Sequence, residues 1–380
     1  MAAPGPQGTP PPDTAGPDPA GPACIVDPDG EGRAYRTVRQ IPVGLDPEGV
    51  VVHRASGRIY VACSRSNAVA VIDPDPAVVT RTIEVGQEPI DIVVDDRTGR
   101  VFVADARSDQ LSVIDTTTDT VVATVAVGSY PSGLCLDPDR RHLYCGDAAG
   151  STMSVVDVDR LERVATVDAE LGAGAIAAHL TGNRVYCVNF VASSATVIDA
   201  DTFAVLARVP LEAGPCAAGV HPGTGDLFVA DSLASTVTRV HGRTAERTAE
   251  MPVPNAPVGL TMGSGGDRLY VGNRGDGSVS VLGLDGVEWA RIPVGAAPGG
   301  VTEHPDVPGR ILVANAGSAT VTVVDDLTSG PPAAPVATVI NPAVGRPMPD
   351  LALPDLWTRE LRHLGEWAER KYVVNVFASW

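Results

Sequence analysis

The sequence predicts an all-β ring of seven four-stranded antiparallel blades, and three observations predict it. First, one short apolar stretch recurs seven times at a constant spacing of 42 residues: IYVA at Ile59, VFVA at Val101, LYCG at Leu143, VYCV at Val185, LFVA at Leu227, LYVG at Leu269 and ILVA at Ile311. A fixed period in this range marks stacked supersecondary units. Second, each unit holds four strand-like runs; in the second they fall at about 90–94, 100–104, 110–114 and 120–127, here called strands a to d. Third, both alternating faces of strands b and c are apolar, as in Ile59 to Ala62 and Val69 to Ile72. A small sheet apolar on both faces must be covered on both, and radial stacking of blades covers it. Apolar residues are 44% and aromatics only 4%, so the core is built from Val, Ala, Ile and Leu, a β-rich composition.

Residues 1–34 are dominated by Pro, Gly, Ala and Asp. Such a segment lacks the apolar area to offset its ordering entropy and is expected to be disordered. The propeller is expected over 35–342. Its a–b turns carry Gly57, Gly99, Asn183, Gly225, Asp267 and Gly309 at one phase, with Arg141 as the departure; tight hairpin turns require the positive φ that Gly and Asn tolerate. Strand c ends on Asp73, Asp115, Asp157, Asp199 and Asp325, where a carboxylate can bond amides two residues on and fix the c–d turn. The d–a connections carry Pro47, Pro89, Pro131, Pro215 and Pro257. Eight d-type strands compete for seven outer positions. Thr37–Val43 is expected to close the last blade, and Val336–Ile340, which follows Pro331, Pro332 and Pro335, to leave the ring.

The formal charge is −18, which argues against nucleic acid and anionic membrane as partners. No stretch reaches the 18 apolar residues of a membrane span, and no signal peptide is expected. None of the six cysteines has C-x-x-C spacing; Cys145 and Cys187 stand where other units carry Val and are expected to act as small core hydrophobes. Free buried thiols suit a reducing compartment, so a cytoplasmic location is expected.

With these motifs in place, residues 37–341 resemble the YVTN family of β-propellers, whose units read roughly PxG-hydrophobic run-PxGxxLYVAN-x-VSVID-x-IxVG. The resemblance implies the fold; family members and related rings include binding modules, scaffolds, dehydrogenase subunits, lactonases and an antibiotic lyase, so function must come from the site. Residues 343–380 break the period. Gly345, Pro349, Asp350 and Leu353, then Val373 to Trp380 (VVNVFASW), resemble the opening of a thioredoxin-like domain of the redoxin and TlpA type, read here as incomplete because the C-x-x-C that follows in that family is missing. Such a site works through a low-pKa thiolate, so no catalytic residue is carried over. Strand Tyr372–Phe377 is expected to be poorly ordered or docked on another chain.

Two groups of candidate site residues emerge on the face formed by the d–a and b–c loops. The residue closing strand b runs Cys63, Asp105, Asp147, Asn189, Asp231, Asn273, Asn315; it reads either as a repeated turn cap or as a polar ring near the channel mouth. Asp91 breaks a run of small residues, Gly49, Gly133, Ala175, Ala217 and Gly259, at the start of the inner strand. Arg65 and Arg107 lie at matching b–c positions on adjacent units, so Asp91 with both arginines is expected to form a salt-bridged plug or a site for an anionic group. His53, His179 and His221 share the a–b turn phase with Asp95 and Asp137 and are expected to be turn residues, without metal-ligand spacing. No metal and no cofactor is expected.

The expected function is a non-enzymatic binding or scaffold propeller, fused to a thioredoxin-like domain, that recognises a protein or small-molecule ligand at the channel face. A metal-assisted lyase or lactonase in the channel is the first alternative, and a structural surface-type YVTN protein the second. Thiol–disulfide oxidoreductase activity is expected only if a C-x-x-C domain follows Trp380.

Overall fold

A computed structural model of the chain describes residues 24–26, 34–327, 352–354 and 361–363. It divides into two compact units, Met1–Pro332 and Ala333–Trp380. In the first unit seven antiparallel sheets follow one another around a ring, six of them with four strands in chain order. The second blade is typical: Pro89–Asp95 innermost, then Arg100–Asp105, Gln110–Asp115 and Thr120–Ala126.

The seventh blade closes the ring. Its inner three strands are Pro298–Glu303, Arg310–Asn315 and Thr320–Asp326, and its fourth comes from the other end of the chain, Ala34–Pro42. Tyr35 pairs with Asp326 and Pro42 with Thr320 across that ladder. The expected closure by Thr37–Val43 is therefore observed, as a strand that starts three residues earlier. Val336–Ile340 and Tyr372–Phe377 lie outside the described residues. In the N-terminal segment Cys24–Val26 is a short strand paired with Ala34 to Arg36, adding a fifth strand to the seventh blade. The rest of 1–33 lies outside the described residues. In the second unit Ala352–Pro354 pairs antiparallel with Leu361–His363; the remainder of the segment read as thioredoxin-like is outside the described residues.

The core lies between blades. The second residue of the repeated stretch is Tyr60, Phe102, Tyr144, Tyr186, Phe228, Tyr270 and Leu312, all essentially inaccessible. Each large side chain contributes about 2–3 kcal/mol by leaving water. Several reach further: the Tyr60 hydroxyl donates to Asp119 at 2.9 Å and that of Tyr270 to Asp326 at 2.9 Å, each on the following blade. Near the axis the inner strands approach at backbone distance. A Cβ on Gly133 would lie 2.4 Å from the Gly174 carbonyl oxygen, and one on Gly259 2.1 Å from that of Gly299, which is why small residues recur there.

The turns use positive φ throughout. Gly57, Gly99, Asn183, Gly225 and Gly309 adopt it as expected, but in the sixth blade the role falls to Gly266, one residue before Asp267. Arg141 adopts φ of 59° despite its Cβ. Its guanidinium explains why: it bonds Asp95 of the preceding blade at 2.6 and 3.1 Å and Asp159 of its own at 2.8 Å. Asp115, Asp157 and Asp199 at the ends of strand c cap their turns as anticipated, Asp157 accepting from the amides of Asp159 and Arg160 at 3.0 and 2.9 Å; Asp73 and Asp325 instead receive Arg58 and Arg310.

Candidate functional site

The inner strands surround a cavity of about 510 Å³ at the channel, lined by Glu48, Gly49, Ile90, Asp91, Ser132, Gly133, Leu134 and, farther round, residues of blades four to seven. This volume suits a small molecule. Most of its wall is Gly, Ala and aliphatic side chain, because the close approach of strands at the axis admits little else.

Asp91 is where the sequence places it, at the start of an inner strand and on the cavity wall. Its Oδ1 accepts from its own neighbour's amide, Ile92, and its Oδ2 from the Leu134 amide of the next blade, both at 2.8 Å. Burial pushes the carboxyl up to about 6 against the pull of those two amides. Arg65 and Arg107 are not brought to it. They stand exposed on the b–c loops of blades one and two, where Arg65 pairs with Asp46 at 3.6 Å and Arg107 pairs with Glu88. The plug expected from the three residues does not form: Asp91 is held by the Ile92 and Leu134 amides, while each arginine pairs with a carboxylate of the d–a connection of its own blade.

Asp105, Asp147 and Asp231 are fully buried at the ends of strand b and do not line the cavity. Each accepts a hydroxyl bond from the residue seven positions on in strand c: Ser112 at 2.6 Å, Ser154 at 2.8 Å and Thr238 at 2.6 Å. Asn189, Asn273 and Asn315 reproduce the contact with their amide donating to Thr196, Ser280 and Thr322. The other oxygen can hold the d–a connection, as the Gly128 amide does on Asp147 at 3.0 Å and Gly295 on Asn315 at 3.1 Å. In the sixth blade the matching residue is Pro254, which has no N–H, and Asn273 Oδ1 has no partner. These residues tie three segments of a blade together.

Burial also raises Asp105, Asp147 and Asp231, the last to about 6. A carboxyl whose folded pKa exceeds its unfolded value adds stability as pH falls, because the folded form holds the proton more tightly. Between pH 7.5 and 5.5 the thermal midpoint is therefore expected to rise. Asp231→Asn, which copies the amide solution of Asn273, is expected to stabilise the protein at pH 7.5 by about 1–2 kcal/mol and to flatten that pH dependence. Urea unfolding at the two pH values checks it, and equal destabilisation at both would refute the burial cost.

Sequence reasoning missed Glu48. It sits one residue after Pro47, at a phase otherwise occupied by Ile90, Ser132, Gly174, Cys216 and Val258, so the repeat itself could have marked it. Its carboxylate receives Arg274 of the sixth blade at 3.1 and 3.3 Å, across the Gly299 and Gly300 backbone of the seventh. Burial raises the Glu48 carboxyl and the Arg274 bonds oppose that. Cys216, also on the wall, donates its thiol toward the Pro257 carbonyl at 3.3 Å and is pushed up by burial to about 11, so it carries little thiolate near neutrality. The a–b turn residues stay apart from all of this: His221 Nδ1 accepts from Gly223 and Thr224, and Asp137 from Asp139 and Arg140. Among the described residues no group of three or more His, Cys, Asp or Glu stands where it could hold a metal ion, and no helix is long and apolar enough to cross a membrane.

No protein-family model matches the chain, and a search of curated proteins gave no match. Solved structures do share the fold. Kuenenia stuttgartiensis hydrazine synthase superposes with a TM-score of 0.68 at 21% identity, over 75% of this chain and 97% of that one. A streptogramin B lyase structure superposes with a TM-score of 0.65 at 13% identity, over 76% and 97%. At these identities the likeness establishes the seven-bladed ring.

Proposed function

We propose that the ring is a non-catalytic binding scaffold that takes a ligand or protein partner at the channel face, in a YVTN-type protein whose C-terminal segment belongs to a thioredoxin-like domain. The observation that carries this reading is the cavity itself: a preformed space of about 510 Å³ walled mainly by small and aliphatic residues, a surface suited to binding. A charge of −18 turns the partner away from nucleic acid and anionic membrane. Free thiols at Cys63, Cys135, Cys145, Cys187 and Cys216 support a cytoplasmic setting.

The test uses Gly174 on the cavity wall, whose added Cβ would meet nothing closer than 3.5 Å, so Gly174→Leu adds bulk to the wall with its Cβ clear of the neighbouring backbone. A fragment library of amines, acids, alcohols and aromatics, screened by ligand-observed NMR, is expected to give hits on the parent that vanish in Gly174→Leu. No hit sensitive to the plug would overturn the reading. The redox half is tested by reading the coding sequence past the Trp380 codon: a C-x-x-C supports it, and a stop codon there removes it.

The second reading, a lyase or lactonase in the channel, is favoured by one observation: Glu48 and Asp91 are two carboxyls raised by burial in a single cavity. The described residues do not fit the metal-assisted form of it.

A further inference from the structure

The cavity is chemically two-sided. Glu48, Asp91 and Ser132 lie on the walls of blades one to three, while blades four to six present aliphatic side chains, continued outward by Phe190 and Val191, which stand exposed at the mouth. The two carboxylates differ. Glu48 is neutralised by the guanidinium of Arg274. Asp91 meets only backbone amides, from Ile92 and Leu134, and no cationic side chain. A carboxylate held inside a protein without a counter-charge is costly, and the repeat offers Gly or Ala at that position in five other blades, at Gly49, Gly133, Ala175, Ala217 and Gly259. On the same cavity wall, two residues before the Leu134 amide that bonds Asp91, Ser132 Oγ is buried with no partner and lies on the side of Gly174 of blade four. An acceptor carboxylate and an unsatisfied hydroxyl thus line one largely apolar cavity.

We propose that the channel binds an amphipathic cation, a primary ammonium group on a compact apolar body, with the ammonium on Asp91 and Ser132 and the body against Ile176, Val258 and Leu260. The ammonium supplies the counter-charge that Asp91 lacks and a donor to the Ser132 oxygen. The body fills the aliphatic side, and the net charge of −18 favours approach of a cation. This inference rests on the reading of the ring as a binding scaffold and names the ligand class for the same site.

Three probes share one rigid body: 1-adamantylamine, 1-adamantanol and adamantane-1-carboxylate, titrated calorimetrically into the full chain at pH 7.5. The amine is expected to bind at least about tenfold more tightly than the alcohol, a ratio worth about 1.4 kcal/mol, with no binding of the carboxylate. Asp91→Asn, confirmed folded by its thermal midpoint, is expected to remove that preference, and Gly174→Leu to abolish binding altogether. Because Asp91 also bonds the next blade, the probe series on the parent protein and on Ser132→Ala, expected to weaken the amine alone, decides the matter if Asp91→Asn fails to fold. Alcohol and amine binding equally, or the carboxylate binding best, overturns the cation proposal; plug-sensitive binding of that kind leaves the scaffold reading standing. Binding of none of the three also overturns it, and the fragment screen then decides the scaffold reading separately.

Discussion

A chain lacking residues 1–43 is expected to lose cooperative folding, whereas one lacking only residues 1–23 is expected to unfold at the parent midpoint. Ala34–Pro42 is the outer strand of the seventh blade, and it serves both of that blade's neighbours. Ile41 packs in the cluster shared with Val50 and Val61 of the first blade, and Tyr35 in the cluster shared with Tyr270 and Val281 of the sixth. Arg36 adds a 2.6 Å ion pair to Asp325, and the Val43 amide bonds the Ala319 carbonyl at 2.9 Å. Two buried side chains at about 2 kcal/mol each, with the ladder bonds, give a loss of more than about 5 kcal/mol. The loss also bares the whole length of Thr320–Asp326 as an unpaired edge, a template for association. Urea unfolding and size-exclusion chromatography of the two truncations check this. Equal midpoints for the parent and the chain lacking 1–43 would show that closure by this strand contributes nothing.

Strand number, blade number, turn phase and the closing strand were legible because each follows from period and local pattern. The site was legible only in part. Asp91 stood out as a charge among Gly and Ala, and the structure keeps it on the cavity wall. Its supposed partners did not follow, since a shared phase on adjacent repeats says nothing about which way two loops point. A better signal was present: Asp46 and Glu88 each lie nineteen residues before Arg65 and Arg107, the spacing that joins a d–a connection to the b–c loop of the same blade. The buried ties at the ends of strand b were legible too. Ser112, Ser154, Thr196, Thr238, Ser280 and Thr322 follow the six Asp and Asn residues by seven positions, and the first repeat, with Cys63 in place of the acceptor, has Ala70 in place of the hydroxyl. Acceptor and donor are lost together, which marks a structural pair. The Glu48–Arg274 bridge had no such signal. It joins positions 226 residues apart, and only ring closure makes the first blade a neighbour of the seventh and sixth.

Arg141→Ala is expected to cost about 3–5 kcal/mol, the range for breaking a buried ion pair by removing one partner. Asp95 is 1% exposed at its side chain and receives two bonds from this guanidinium. Burial pushes the Asp95 carboxyl up, but the bonds from Arg141 and Thr98 outweigh it and hold it below the usual range. A lowered folded pKa gives stability that is present above the unfolded value and lost as pH falls through the folded one. Without Arg141 the burial cost is opposed only by Thr98 and the Arg97 amide, so the carboxyl moves up and the deficit of the variant shrinks toward acid. Arg141→Gly separates two effects in one residue. It relieves the positive φ of 59°, worth about 1 kcal/mol, yet loses the same bridge. The expected order of stability at pH 7 is therefore Arg, then Gly, then Ala, with Asp95→Asn restoring part of the loss in the Ala background. Urea midpoints at pH 7 and pH 4 test each step. A Gly variant as stable as the parent would mean that Arg141 is tolerated at this turn for no gain, and that the neighbouring blades are held together by their apolar faces alone.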